Sequence, residues 1–147
     1  MENKLTNGFP LEKPDIILEW GKPLDELAKK SGGIWNGDRY YWKSVVYLQG
    51  LEYPLCSENG ILQNEAFVSI SACIGLDQDG LWSDELSLSG FNRVSDHLTN
   101  LFGKPISLAV ENELGEKSQS WNIGNVHFYL SIVEQHTLKC YLKVGLR

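Results

Sequence analysis

Between Val126 and Leu146 the chain reads VHFYLSIVEQHTLKCYLKVGL, an alternation of apolar and polar residues that suits a β-hairpin and not a helix. Val126, Phe128, Leu130 and Ile132 fall on one side. Leu138, Cys140, Leu142, Val144 and Leu146 do likewise, and His127, Lys139 and Lys143 point to water. A long hairpin with one apolar face must bury that face, so the chain has to supply a cover for it.

The segment FNRVSDHLTNLFGKP supplies one. Phe91, Val94, Leu98, Leu101 and Phe102 recur at helical spacing, Ser89 is placed to cap the start, and Gly103 followed by Pro105 ends the run. A second helix is read in GKPLDELAKKSGG. Pro23 suits a first helical position, Asp25 and Glu26 lie in the first turn, Lys29 and Lys30 in the last, and Gly32 or Gly33 can take the left-handed cap.

The rest reads as extended chain. Residues 1–14, with Asn7-Gly8, Pro10 and Pro14, form an extended lead-in, and Asp15–Trp20 is a strand or the approach to a helix. From Tyr41 to Leu48 both alternating sets are apolar, as in an interior strand, and Leu51–Leu55 continues it. Glu65–Leu76 is a strand with Ala66, Val68, Ile70, Ala72 and Ile74 on its core face. Asp77-Gln-Asp-Gly80 is then a hairpin turn, with Leu81–Leu88 as the return strand. Ile106–Val110 and Ser118–Ile123 complete the set, separated by turns at Leu114-Gly115 and Gly124-Asn125.

This order predicts an α+β fold. A curved antiparallel sheet of about six to eight strands carries two helices packed on one face. A helix-plus-meander unit used twice would give the same order, although the halves do not align residue by residue. The length of 147 residues fits a single domain, 1–147, able to bury roughly 68–70% of its unfolded surface.

Composition narrows the classes of partner. The chain has 13 basic and 19 acidic residues for a net charge of −6, and basic residues cluster nowhere along it. Phosphate backbones need clustered Lys and Arg, so nucleic acid is not expected, whereas a basic protein is a suitable partner. No apolar run approaches the ~20 residues of a membrane span, and MENKLTNGFP lacks the apolar core of a signal peptide, so the expected site of action is the cytoplasm. Cys56, Cys73 and Cys140, an odd number without CxxC spacing, fit buried thiols in a reducing compartment.

A search for chemistry finds little. Asp77–Gly80 fails as a calcium loop, because aligning Gly80 to the loop glycine puts Gly75 and Leu86 at the end ligands. His97, His127 and His136 lack metal-ligand spacing, and a Cys140–His136 pair would place the thiol on an apolar face where it is inert. The expectation is therefore a protein without catalytic residues, metal or cofactor.

Two stretches remain as binding elements. IWNGDRYYW, from Ile34 to Trp42, would expose Trp35, Arg39 and Tyr40 between helix and strand, residue types that dominate protein interfaces. The second stretch carries Asp77, Asp79, Asp84 and Glu85 around Trp82 with no basic residue. Plain structural roles compete with both: a loop leading into a core strand for the first, a solvated turn with Trp82 in the core for the second.

The phrases HLTNLFGKP, SWNIGNVHFYLSIV and CIGLDQDGLWSDELSL give the second half a pattern that resembles small immunity proteins of bacterial toxin–immunity systems. The resemblance implies a cytoplasmic protein that binds and neutralises a cognate protein toxin. Carboxylates at Asp77, Asp79, Asp84 and Glu85 would steer, and Trp35, Arg39 and Tyr40 would anchor, with Trp82 also counted in the partner-binding surface. Two other readings stand beside it. One is a small-molecule or peptide-binding α+β module with an aromatic-lined pocket; the other is an enzyme whose site is assembled from distant residues.

Overall fold

The structure is a computed structural model that describes residues 2–109 and 111–147; the side chain of Ala109 lies outside the description, as does Val110 of the predicted strand. It is α+β, with an antiparallel sheet of eight strands and a second sheet of three. The chain forms two compact units. The first holds residues up to Ala72 with Gly124–Val126 and Gly145–Arg147; the second holds Cys73–Ile123 and His127–Val144.

In the first unit the opening residues are not a lead-in. A short helix α1 (Glu2–Leu5) precedes β1 (Gly8–Lys13), which pairs with β2 (Ile16–Glu19) on one side. Leu5, Phe9, Leu11 and Leu18 are buried, and this apolar content is what holds the N-terminus down. Helix α2 (Leu24–Ser31) follows as predicted, with Leu24, Leu27 and Ala28 inward and Gly32 as a left-handed cap at φ 86°.

The interior strand predicted from Tyr41 to Leu48 is two strands in two sheets. After β3 (Ile34–Trp35) and β4 (Tyr40–Trp42), the chain bends at Lys43-Ser44 and enters β5 (Val46–Tyr47), which pairs with β1. Leu48 and Gln49 then take left-handed backbone, φ 48° and 59°, conformations that L-residues disfavour. The Glu12 carboxylate stabilises this turn by accepting from the N–H groups of Gln49 at 2.5 Å and Gly50 at 3.0 Å. The chain rejoins the large sheet at β6 (Leu55–Cys56), beside β4 and β7 (Ser69–Ile74), with β3 at the sheet edge. In β7, Ile70, Ala72 and Ile74 are buried as expected, but the strand begins later than predicted, and Ala66 and Val68 are exposed.

In the second unit the predicted return strand, Leu81–Leu88, is instead the start of a helix. The Asp77–Gly80 turn forms, and one bridge joins Leu76 to Trp82. Ser83 then caps α3 (Asp84–Phe102), its hydroxyl accepting from the Leu86 N–H at 3.2 Å; Ser89, the predicted cap, lies inside the helix. The buried positions include Ser87, Gly90, Phe91, Val94 and Leu98. The helical stripe therefore begins with two small residues, while the alternating Leu86 and Leu88 that suggested a strand are exposed and half-buried.

Beyond α3 the prediction holds closely. Strands β8 (Ser107–Ala109), β9 (Lys117–Ile123), β10 (Val126–Gln135) and β11 (Thr137–Leu146) lie in the order β11-β10-β9-β8. The even-numbered residues from Val126 to Ile132 and from Leu138 to Val144 are buried, although Leu146 is exposed, and His127 and Lys139 are half-buried rather than fully in water. Phe102 meets Phe128 at a tilt, ring centroids 5.0 Å apart, and the Trp121 indole N–H donates to the Gly103 carbonyl at 2.9 Å, which closes the end of the helix onto the sheet.

In the first unit the backbone at Gly33 approaches the Trp42 ring with no slack. A Cβ at Gly33 would lie 2.7 Å from Cε2 and 2.8 Å from Cζ2 of Trp42, and 2.9 Å from the Ala28 Cβ. Gly33→Ala is expected to destabilise the protein by about 1–3 kcal/mol through overpacking. Urea denaturation measures this; unchanged stability would show that the indole can shift freely.

Candidate binding surfaces

The aromatic hairpin of the first unit is built on β4. Ile34 pairs with Tyr41 and Trp35 with Tyr40, so Trp35 and Tyr40 share one face of the hairpin, and their rings meet edge-on at 5.0 Å. Asn36 closes the turn by accepting from the N–H groups of Asp38 at 3.1 Å and Arg39 at 2.9 Å.

The three predicted anchors separate here. Tyr40 is not exposed: it is 5% accessible, and burial, with a contribution from Asp25, raises its pKa. Trp35 and Arg39 are half-buried. Arg39 donates to the Cys56 sulfur at 3.7 Å and sits 3.8 Å from the Asp38 carboxylate, so its guanidinium is held against the strand. Tyr40 belongs to the core because β4 is an interior strand and its side chain faces inward with Trp42; a tyrosine in an alternating strand carries no sign of which face will be covered.

The acidic stretch of the second unit also separates into two kinds of residue. The Asp77 carboxylate accepts from the N–H groups of Asp79 at 2.9 Å and Leu81 at 3.0 Å and so shapes the turn. The Asp84 carboxylate accepts from the Thr137 hydroxyl and from the Leu138 N–H at 2.8 Å, which ties the first turn of α3 to the start of β11. These hydrogen bonds, the Thr137 hydroxyl foremost, hold its pKa below the ordinary aspartate value. Asp79 and Glu85 are exposed, and their carboxylates have no partner among the described residues. Trp82 is half-buried against Tyr141 at 5.1 Å, with the Lys139 ammonium 5.9 Å from its ring centre.

The groups considered for chemistry are spread out. Cys56, Cys73 and Cys140 are buried and form no disulfide, and burial pushes Cys140 up to about 12, which leaves it protonated at neutral pH. His127 is hydrogen-bonded through Nδ1 to the Asn122 side chain at 2.6 Å, and His136 is exposed at a left-handed position between β10 and β11. Among the described residues, no three His, Cys, Asp or Glu side chains converge to hold a metal ion.

One feature of the first unit was not read from the sequence. A groove of about 640 Å³ is lined by Ile34, Tyr41, Trp42, Lys43, Ser44 and Val45, together with Asn36 and the end of α2. Its volume is that of a small-ligand or side-chain pocket. The one signal that could have revealed it is the polar pair Lys43-Ser44, which interrupts an otherwise apolar run directly after Trp42. No family model, curated protein or solved structure matches the chain.

The tie made by Asp84 has a pH signature. Because its pKa is lowered on folding, its contribution is present above the unfolded aspartate pKa, about 3.9, and is lost as pH falls through the lower folded value. Asp84→Ala is expected to lower Tm at neutral pH, with the difference from the parent shrinking steadily below about pH 4. A difference that stays constant down to strongly acidic pH would assign the loss to something other than the carboxylate.

Proposed function

We propose that the chain is an immunity-type binding protein that neutralises a cognate protein toxin in the cytoplasm. The observation that carries this reading is the edge hairpin. Ile34 is 67% exposed beside half-buried Trp35 on a strand at the end of the eight-stranded sheet, and buried Tyr40 holds Trp35 in place. A rigid aromatic with an exposed apolar neighbour is the usual make-up of an interface anchor.

Charge supports the same reading. The net charge of −6 favours approach of a basic partner, and Asp79 and Glu85 are the carboxylates of the acidic stretch left available to steer it. Asp77 and Asp84 support the turn and helix start that present them. The resemblance of the second half to immunity proteins adds a class of partner. Among the described residues no helix is long and apolar enough to cross a membrane. The alternative, a peptide or small-molecule binding module without catalysis, is favoured by one specific observation, the groove beside Tyr41 and Trp42.

The test is co-expression with the product of the neighbouring open reading frame, followed by size-exclusion chromatography and titration. A stable complex is expected. Trp35→Ala should weaken it at least about thirtyfold, a loss of about 2 kcal/mol or more at an anchor, while costing about 1 kcal/mol or less of stability. No complex with the neighbouring product would overturn the toxin reading.

A further inference from the structure

We infer that the groove beside β4 is a docking site for an extended peptide segment that carries apolar side chains next to a carboxylate. The inference begins with the direction of the backbone groups in β4. Tyr40 exchanges hydrogen bonds with Ser57, its carbonyl accepting from the Ser57 N–H at 3.0 Å and its N–H donating to the Ser57 hydroxyl at 2.8 Å. The groups of Arg39 and Tyr41 therefore face the opposite side, towards β3, and the Arg39 carbonyl accepts from the Asn36 N–H at 3.1 Å.

Carried one residue past the end of β4, the same alternation would aim the N–H of Lys43 to that side. Continued pairing with the β3 side would need Gly32 opposite it, but Gly32 has turned away as the cap of α2, its N–H donating to the Ala28 carbonyl at 2.9 Å. Lys43 and Ser44 have no hydrogen-bond partner among the described residues, in backbone or side chain. Unpaired backbone at the end of a ladder is what an added strand takes up.

The side chains specify the occupant. Exposed Ile34 and half-buried Tyr41 form the apolar walls, with buried Trp42 and Val45 beneath. Among the described residues, the one charged side chain that lines the groove is Lys43, which is exposed and has no ion-pair partner among them. An extended segment can satisfy all three features: its backbone pairs with Lys43, an apolar side chain covers Ile34 and Tyr41, and a neighbouring carboxylate meets the Lys43 ammonium.

The experiment is an NMR titration of isotope-labelled protein with an acetylated, amidated tetrapeptide of valine, leucine, valine and glutamate. Three further probes serve for comparison: the same peptide ending in lysine, the same peptide with a central proline, and octanoate. Amide shifts are expected at Ile34, Tyr41, Lys43 and Ser44. The glutamate peptide should bind about fivefold tighter than the lysine peptide, and Lys43→Glu, at an exposed position that folding does not need, should remove that preference. The proline peptide should bind markedly more weakly, since it lacks a backbone donor. No shifts at millimolar peptide, shifts confined elsewhere, equal binding of the proline peptide, or equal effects from octanoate would each overturn the proposal. The titration concerns the groove alone, so its failure leaves the toxin reading to the co-expression test.

Discussion

The packing of Trp42 under the end of α2 sets the geometry of the first unit. The indole is 1% exposed, and its N–H donates to the Ser31 hydroxyl at 2.8 Å, while that hydroxyl donates to the Leu27 carbonyl at 2.6 Å. Both polar atoms are thus satisfied inside the core, where an unpaired group would cost about 1–3 kcal/mol. Gly33 lets the helix end approach the ring, because any side chain there would overlap it. This arrangement forces the backbone at Gly32 away from β4. The core contact and the unpaired edge at Lys43-Ser44 are therefore two results of one packing decision.

The second unit is organised by a comparable set of polar contacts, placed where α3 begins. Ser83 caps the helix and its N–H donates to the Gly75 carbonyl at 2.9 Å, the Ser87 hydroxyl donates to the Leu138 carbonyl at 2.8 Å, and Asp84 takes up the start of β11. Gly75, at φ 123°, is needed there because a Cβ would overlap the Ser87 side chain. Small residues and hydrogen bonds fix where the elements meet, and the stripe of Phe91, Val94 and Leu98 is buried, as are Phe128, Leu130, Ile132, Leu138, Cys140 and Leu142 of the final hairpin. Two of the carboxylates that a sequence reading assigns to steering are held by hydrogen bonds in this framework, which leaves Asp79 and Glu85 as the ones without a partner among the described residues.

The contrast between what could and could not be read from the chain follows from these contacts. The last hairpin and α2 are legible because their apolar periodicity is strong and their ends carry glycine, proline and matched charges. The start of α3 is not, because its buried face opens with Ser87 and Gly90, which no hydrophobic pattern registers. The break after Trp42 is hidden for the opposite reason: Val45, Tyr47 and Leu48 continue an apolar run while the chain changes sheets, held by Glu12 from far along the sequence. Trp35, Arg39 and Tyr40 look equivalent as letters, and only the pairing of β3 with β4 and β4 with β6 separates the buried Tyr40 from its half-buried neighbours.

A binding protein needs surfaces that are rigid and still incomplete, and the β3–β4 hairpin combines both properties. Tyr40 and Trp42 hold it from inside, and the ladder stops while backbone groups remain available. Amide hydrogen exchange of the free protein tests this most directly. The Tyr41 amide, paired to β3, and the Trp42 amide, paired to β6, should exchange slowly, and the Lys43 and Ser44 amides at close to the rate of unstructured chain. Protection at Lys43 and Ser44 equal to that of Tyr41 and Trp42 would contradict the account, because it would mean that the edge is already paired.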